Sequence, residues 1–267
     1  MLKDITLGQF FPGNTIVHRL DPRTKLIMTI VYIAALFLAK GIFGYGLVFL
    51  FLCTAVALSR IRVSALFKGL KPLIFIIILT ACINLFFTAG DPLISFWIIK
   101  ITKQGLINAI YMVARIMMLI AGTFLLTYTT SPIALTDGLE LLLNPLKKIK
   151  LPVHELAMMM CIALRFIPTL IEETDKIMSA QKARGADFES GNILQRAKAL
   201  IPILVPLFIS SFGRADDLAT AMECRCYRGG VGRTRMKQLT MAGGDYVTLL
   251  IGAALLAAVI TLKVLGL

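Results

Sequence analysis

Five long apolar runs constrain the fold of this chain more than any other feature of its sequence. The runs cover 26–39, 43–58, 73–89, 106–128 and 246–265. A helix of about 20 apolar residues spans the hydrocarbon core of a bilayer. Hydrophobic residues make up 58% of the sequence, a share above that of ordinary soluble domains. The sequence therefore predicts an all-α integral membrane protein with about five transmembrane helices.

The positions of Lys and Arg predict how these helices are oriented. Basic residues crowd the segment before the first run, the loop between the second and third runs, and the long segment between the fourth and fifth. Because cytoplasmic loops carry an excess of Lys and Arg, the N-terminus and the long segment are predicted to be cytoplasmic, with the C-terminus outside. This bias accounts for the net charge of +13, since no nucleic-acid-binding motif accompanies it.

This topology divides the chain into three regions. Residues 1–130 form a membrane part with four transmembrane helices, 131–240 form a cytoplasmic domain, and 241–267 hold the last transmembrane helix. Within the cytoplasmic domain, the apolar runs 156–171 and 200–212 contain proline and adjoin many charges. They are shorter than a full span, which favours buried core helices or re-entrant segments. Whether they lie in the bilayer or on its surface is left open by the sequence.

Three local patterns predict further elements. Asp21 followed by Pro22 predicts the start of the first transmembrane helix, with the aspartate as its N-cap. The β-branched, partly alternating residues 93–104 predict an interfacial hairpin or a membrane-surface strand. Residues 132–148 predict an amphipathic surface helix that is interrupted at Pro145.

No motif for catalysis or nucleotide binding is present in the sequence. Residues 229–234 lack the spacing and the lysine of a phosphate-binding loop. His154 and Glu155 are not followed by the second histidine of a zinc protease motif, and no serine-hydrolase elbow occurs. Cys224 and Cys226 lack the further ligands that a tetrahedral metal site needs. We therefore predict a protein that is not an enzyme and that holds no cofactor and no metal.

Two similar passages in the cytoplasmic domain each end in an arginine. When they are aligned on Arg184 and Arg225, four kinds of residue coincide: Asp175 with Asp216, Ile177 with Leu218, Ser179 with Thr220, and Ala180 with Ala221. The pattern predicts two helices, each of which carries an arginine at its C-terminal tip.

Two interpretations fit these arginines. The helix macrodipole favours a cation in the last turn, and Gly185 after Arg184 fits a left-handed C-cap, so each arginine can serve helix termination alone. Alternatively, two guanidinium groups matched in register suit bidentate capture of carboxylates on partner proteins. Two equivalent tips then indicate two equivalent receivers, such as a dimer of soluble subunits.

Arg115 is the one charged residue inside the fourth apolar run. A charge at that depth is costly unless it is paired or hydrated. Arg115 is therefore either a polar contact to a partner or a substrate path, or a structural pair with Asn84, Asn108 or a backbone carbonyl. The first possibility leads to an alternative function, a stand-alone secondary transporter or channel that uses Arg115.

Three consecutive methionines, Met158, Met159 and Met160, stand near the start of the run 156–171. They either fill a core or form an adaptable apolar surface for partners, which methionine suits because its flexible side chain repacks easily.

Four stretches together resemble the transmembrane T component of energy-coupling factor vitamin transporters. They are GQFFPGNTIVHRLDPRTKL near the N-terminus, TSPIALTDGLE in the middle, PVHELAMMMCIALRFIPTLIEETDKIMSAQKARGADF after it, and AMECRCYRGG toward the end. The resemblance covers almost the whole chain and extends to the shared T components of Gram-positive bacteria.

The resemblance implies an L-shaped, all-helical protein with a membrane part and a cytoplasmic coupling domain of long helices. Two motifs of the Ala-Arg-Gly type would end the coupling helices and dock into two ABC-type ATPase subunits. The first would be Ala183, Arg184 and Gly185. The second would be Cys224, Arg225 and Cys226, in which cysteines replace the flanking residues. We expect that Cys226 cannot adopt positive φ as glycine does.

The implied mechanism is mechanical and places the protein in the bacterial cell membrane. ATP binding and hydrolysis in the ATPase pair would move the two tips, and the coupling helices would transmit that motion to an interchangeable, substrate-binding S component. Met158, Met159 and Met160 would contact this S component. The identity of the vitamin or micronutrient would depend on the S component and not on this chain.

Overall fold

The computed structural model describes residues 10–88, 92–96, 99–149, 152–188, 192–229 and 238–266. Within these ranges the chain forms ten α-helices and one antiparallel pair of strands. In chain order they are α1 (Ile16–Arg19), α2 (Pro22–Leu38), α3 (Gly41–Ser59), α4 (Val63–Leu70), α5 (Ile74–Phe87), β1 (Pro92–Phe96), β2 (Ile99–Thr102), α6 (Lys103–Thr129), α7 (Pro132–Leu143), α8 (Val153–Ala183), α9 (Ile193–Cys224) and α10 (Gly243–Val264).

The described residues fall into two compact units. The membrane unit comprises 10–141 and 239–266, so it holds α1 to α6, most of α7, and α10. The second unit lies within 142–238 and holds the long helices α8 and α9. The chain thus enters the membrane unit, leaves it for the second unit and returns for its last helix.

The five predicted transmembrane segments all lie in helices of the membrane unit. They correspond to α2, α3, α5, α6 and α10, and α4 leads into α5 through a short 3₁₀ segment, Lys71–Leu73. Six helical segments among the described residues are long and apolar enough to cross a membrane. Four of these six contain predicted transmembrane segments, in α3, α5, α6 and α10, and the other two are α8 and α9. The fifth predicted segment lies in α2, which has 17 residues and is therefore too short to be counted. The all-α membrane class is therefore confirmed.

The core of the membrane unit lies between α2, α3, α6 and α10. Tyr32, Leu36, Val48 and Val259 are among its buried side chains. The Tyr32 hydroxyl donates a hydrogen bond to the backbone carbonyl of Met118 at 2.9 Å, which joins α2 to α6. Many large apolar side chains outside this core are exposed, as expected for helices whose outer faces meet lipid instead of water.

Two aspartates join the starts of α2 and α10. Asp21 caps α2, because its Oδ1 accepts the backbone N–H of Arg23 at 2.9 Å, with Pro22 in the first turn as the sequence predicts. The Oδ1 of Asp245 accepts the backbone N–H of Asp21 at 2.9 Å, and its Oδ2 accepts the N–H of Ala242 at 2.8 Å. The two helices therefore begin at the same end of the membrane unit and run side by side.

For residues 93–104 the sequence predicts either a hairpin or a single surface strand, and the structure contains a hairpin. β1 and β2 pair antiparallel, with Phe96 opposite Ile99. The predicted helix 132–148 is also present and is interrupted where expected. α7 ends at Leu143, and a 3₁₀ segment that contains Pro145, Asn144–Ile149, follows it.

α8 and α9 are much longer than the apolar runs from which they were predicted. They have 31 and 32 residues, or roughly 46–48 Å at 1.5 Å per residue. The helices continue through the charged residues that follow each run, so the apolar length alone underestimates them. Pro168 lies inside α8, and Pro202 and Pro206 lie inside α9.

Candidate functional site

α8 and α9 pack as an antiparallel pair through polar contacts. The side-chain amide of Gln181 donates to the backbone carbonyl of Pro202 at 3.3 Å. Eight residues earlier on α8, the Glu173 carboxylate accepts the Ser210 hydroxyl and pairs with Arg214. A step toward the C-terminus of one helix is thus a step toward the N-terminus of the other, which fixes the antiparallel arrangement.

The Glu173 cluster was not singled out in the sequence. Its signal is visible in retrospect, because Ser210, Ser211 and Arg214 are polar residues just where the apolar stretch of α9 ends. Glu173 and Arg214 are both partly buried, with side chains 19% and 34% exposed. A charged pair with restricted access to water exerts a stronger mutual attraction than an exposed one. It therefore resists sliding of the two helices past one another.

The first predicted tip ends α8 in a Schellman motif. Arg184 is the C-cap, and Gly185 has φ +87°. The backbone N–H of Gly185 donates to the Lys182 carbonyl at 3.0 Å, and that of Ala186 donates to the Gln181 carbonyl at 3.0 Å. These are the two hydrogen bonds that define the motif. Gly185 supplies the left-handed residue as the sequence predicts.

The second predicted tip has the same geometry, which corrects the expectation for Cys226. Arg225 is the C-cap of α9, and Cys226 has φ +56°. The N–H of Cys226 donates to the Glu223 carbonyl at 2.8 Å, and that of Tyr227 donates to the Met222 carbonyl at 3.0 Å. The capping hydrogen bonds therefore hold a cysteine in the left-handed region, although a side chain makes that region unfavourable by about 1–2 kcal/mol.

Both arginines are exposed, and neither guanidinium group makes a hydrogen bond or ion pair with any residue that the structure describes. Arg184 lies 11 residues beyond Glu173 on α8, and Arg225 lies 15 residues beyond Ser210 on α9. Because the helices are antiparallel, the two tips lie on opposite sides of the Glu173 cluster. At 1.5 Å per residue their separation is roughly 30–40 Å. The pair thus presents two similar cationic ends at two distant places.

The three methionines do not form one face of α8. Met158 is half-buried, whereas Met159 and Met160 are 54% and 38% exposed. Met158 lies four residues before Ile162, on the row of side chains that lines the α8–α9 cavity of about 270 Å³. Met159 and Met160 point about 100° and 200° around the helix from it. Two of the three are therefore available to a partner.

α9 carries an apolar stripe that the sequence analysis did not single out. Its side chains recur every three or four residues and are all exposed: Ile201, Leu204, Val205, Phe208 and Phe212. Side chains with this spacing share one face of a helix. A search for helical periodicity in the run 200–212 would have identified it before the structure was known.

Arg115 belongs to the membrane unit, where its guanidinium lies 5.8 Å from the ring centre of Phe37 and 5.6 Å from that of Tyr45. It shares a cavity with Asn84 and Asn108, the predicted structural partners. Among the described residues, however, it makes no hydrogen bond to either amide, and its Nε is buried without a partner. Aromatic faces stabilise this cation but do not accept its N–H hydrogen bonds.

Comparisons with known proteins show the family to which the chain belongs. The model of a family described as cobalt transport protein (CbiQ) matches residues 13–237. The energy-coupling factor transporter transmembrane protein EcfT of Clostridium kluyveri is 54% identical over 249 residues, which cover 92% of each chain. The protein of the same name from Thermosediminibacter oceani is 56% identical over 91% of this chain and 92% of its own. The one from Bacillus subtilis is 51% identical over 96% of this chain and 98% of its own.

Proposed function

The chain belongs to the transmembrane T components of energy-coupling factor transporters, and from that premise we propose that it is the mechanical coupling subunit of an ABC-type importer for vitamins or other micronutrients. In this proposal two ATPase subunits bind the tips of α8 and α9. The same helices pass ATP-driven motion to an interchangeable, substrate-binding S component in the membrane. ATP hydrolysis occurs in the partner subunits, and this chain is not an enzyme.

The observation that carries the proposal is the pair of matched helix ends. Arg184 and Arg225 are both C-caps of long helices, both are followed by a left-handed residue, and both are exposed. Helix termination alone would be served by one hydrogen-bonded cap and requires no arginine. An exposed guanidinium instead suits a carboxylate on a partner, which it binds with two parallel hydrogen bonds.

The separation of the tips favours two receivers. A distance of roughly 30–40 Å, estimated from the helical rise, is about the diameter of a small domain. One small domain cannot enclose both tips in a single groove, whereas two copies of one subunit can each receive one tip. Two ATPase subunits that move relative to one another would then displace the two helix ends.

The Glu173 cluster explains how such a displacement would travel. It joins α8 to α9 between the two tips through Ser210 and Arg214. Rigid helices joined at a fixed point act as levers, so motion at either tip changes the position of the helix segments beyond the joint. Those segments include the start of α8, where the methionines lie.

We propose that the S component contacts the exposed apolar side chains of this unit. Met159 and Met160 supply flexible surface at the start of α8, and Met158 beside them is half-buried. Methionine can repack against different partners, which suits a scaffold whose S components are interchangeable.

We also propose that α8 and α9 lie on the cytoplasmic side, as the excess of Lys and Arg in this part of the chain predicts, with the N-terminus on that side and the C-terminus outside.

The test replaces both tip arginines. We expect the double variant Arg184→Ala and Arg225→Ala to lose co-purification with the two ATPase subunits and vitamin uptake, because each lost charge-assisted contact weakens binding tenfold or more. Arg165→Ala is the matched control, since Arg165 is an exposed arginine in the middle of α8. The control should retain both activities, and both proteins should reach the membrane at wild-type levels.

A double variant that still transports at the wild-type rate would refute the proposal. So would purified wild-type chain that moves substrate alone under an ion gradient, because that result supports the stand-alone transporter.

A further inference from the structure

A polar cavity of about 440 Å³ lies at the end of the membrane unit opposite to the two aspartates. It is bounded by the turn between α2 and α3, the C-terminal part of α5 and the first half of α6. Among the described residues, its polar lining is formed by Lys40, Tyr45, Asn84, Asn108, Tyr111 and Arg115. The α2–α3 turn and the helices α3, α5 and α6 thus bring these six hydrogen-bonding side chains together in a unit that exposes many large apolar side chains.

Two of these side chains have buried donors without a partner in the described chain. The Nε of Arg115 is inaccessible and makes no hydrogen bond. The hydroxyl of Tyr45 is likewise buried and unpartnered, and Tyr45 is only 8% exposed. Native proteins almost always satisfy buried polar groups, so two such groups in one cavity require an explanation. The simplest explanation is a ligand with acceptor atoms.

The charges of the cavity restrict that ligand to an anion. Lys40 and Arg115 are both cationic, and none of the described residues that line the cavity carries a carboxylate. The guanidinium carbon of Arg115 lies over the rings of Phe37 and Tyr45, 5.8 and 5.6 Å from their centres, and these rings stabilise the cation without accepting strong hydrogen bonds from its N–H groups. The amides of Asn84 and Asn108 can add further donors. An anion with several oxygens fits this set better than one with a single acceptor.

The surroundings of the cavity indicate where the anion comes from. Large apolar side chains next to it in sequence are exposed on three helices: Phe37 on α2, Ile42 on α3, and Ile107 and Ile110 on α6. This surface faces lipid if the helices span the bilayer. We propose that the cavity binds the phosphate group of a phospholipid, whose acyl chains lie along the adjoining apolar surface.

The experiment measures the thermal stability of the full chain in detergent as lipid is added. A ligand that binds only the folded state raises the melting temperature with its concentration. We expect short-chain phosphatidylglycerol to do so, and a diacylglycerol glycolipid without phosphate to have no effect. In Arg115→Gln and in Tyr45→Phe, the lipid concentration that gives the same rise in melting temperature should be roughly tenfold higher, the cost of one hydrogen bond to a charged group.

Tyr45→Phe separates a ligand site from a packing defect. Without lipid the variant should be as stable as the wild type or more stable, because it removes a buried, unpartnered hydroxyl. With lipid it should be less stabilised than the wild type. This variant keeps the ring and its packing, so the test remains available if Arg115→Gln fails to fold.

Lys263→Gln is the control for unspecific attraction of anionic lipid. Lys263 is an exposed lysine in the last turn of α10, which ends at the same end of the membrane unit as α2. Lys263→Gln should retain the wild-type response to lipid.

Inorganic phosphate distinguishes the source of the anion. If phosphate alone stabilises the chain and the lipid adds nothing, the lipid assignment is overturned, and an unchanged response of both cavity variants overturns the site itself.

Discussion

The two helix tips have the same backbone but different residues in the position that determines it. Gly185 and Cys226 both have positive φ, and each is followed by the same pair of Schellman hydrogen bonds. Glycine adopts this conformation without steric cost, whereas a residue with a Cβ does not. The comparison shows that the position of the arginine depends on the cap geometry, which the chain keeps even where the favourable residue is absent.

The difference between the tips is therefore energetic and not geometric. At the tip of α8, glycine adopts the left-handed conformation without strain. At the tip of α9, the same conformation costs Cys226 about 1–2 kcal/mol. The capping hydrogen bonds offset this strain, among them the one from the Cys226 N–H to the Glu223 carbonyl at 2.8 Å. We expect the α9 tip to fray more readily and to gain more from a bound partner.

The largest expected effect tests whether the tips are equivalent toward their receivers. If each arginine binds a partner carboxylate as proposed, Arg184→Glu and Arg225→Glu each replace that attraction by a repulsion, so each should reduce ATPase association by tenfold or more. Equal losses, measured by the affinity of purified ATPase for the chain in nanodiscs, would show equivalent receivers. If only one reversal weakened association, the pair of equivalent docking sites would be disproved.

The next effect concerns the joint that both tips share. Glu173→Ala removes the acceptor of the Ser210 hydroxyl and the partner of Arg214, and should lower the free energy of unfolding by about 1–3 kcal/mol. It should also uncouple the tips, so that transport falls more than ATPase association does.

Glu172→Ala is the matched control for that variant. Glu172 is the adjacent residue and is exposed, so its removal should change neither quantity appreciably. Parallel losses of association and transport in Glu173→Ala would show that the cluster only stabilises the unit.

A smaller effect tests the glycine of the first tip. Gly185→Ala places a Cβ at φ +87° and should destabilise the α8 terminus by about 1 kcal/mol. A loss of that size in the free energy of local opening should accelerate hydrogen exchange of the amides at 184–186 about fivefold. Gly213→Ala should instead stabilise its helix, because Gly213 lies inside α9 with open space around it and alanine has a higher helix propensity than glycine. Unchanged exchange at 184–186 in Gly185→Ala would contradict the role given to the glycine.

Much of this architecture could be predicted from the sequence, because it depends on local patterns. Long apolar runs, the Asp21-Pro22 start of α2 and the arginine-glycine end of α8 each act within a few residues. The Glu173 cluster and the cavity around Arg115 depend instead on contacts between residues far apart in the chain, which a single sequence does not reveal. Cys226 shows the limit of a local rule, since its intrinsic preference is overridden by the hydrogen bonds at the end of α9.

The smallest expected effect tests whether the hydrogen bonds at the end of α9 hold Cys226 in an unfavourable conformation. Cys226→Gly removes the strain without touching Arg225, so it should slow hydrogen exchange at 225–227 and stabilise the α9 terminus by up to about 1 kcal/mol. Glycine also gives the unfolded chain more freedom, which reduces the gain. Cys226→Ala is the control, because it removes the thiol but keeps the Cβ and should leave exchange nearly unchanged. If both variants slowed exchange equally, the thiol and not the backbone would be the source of the difference between the tips.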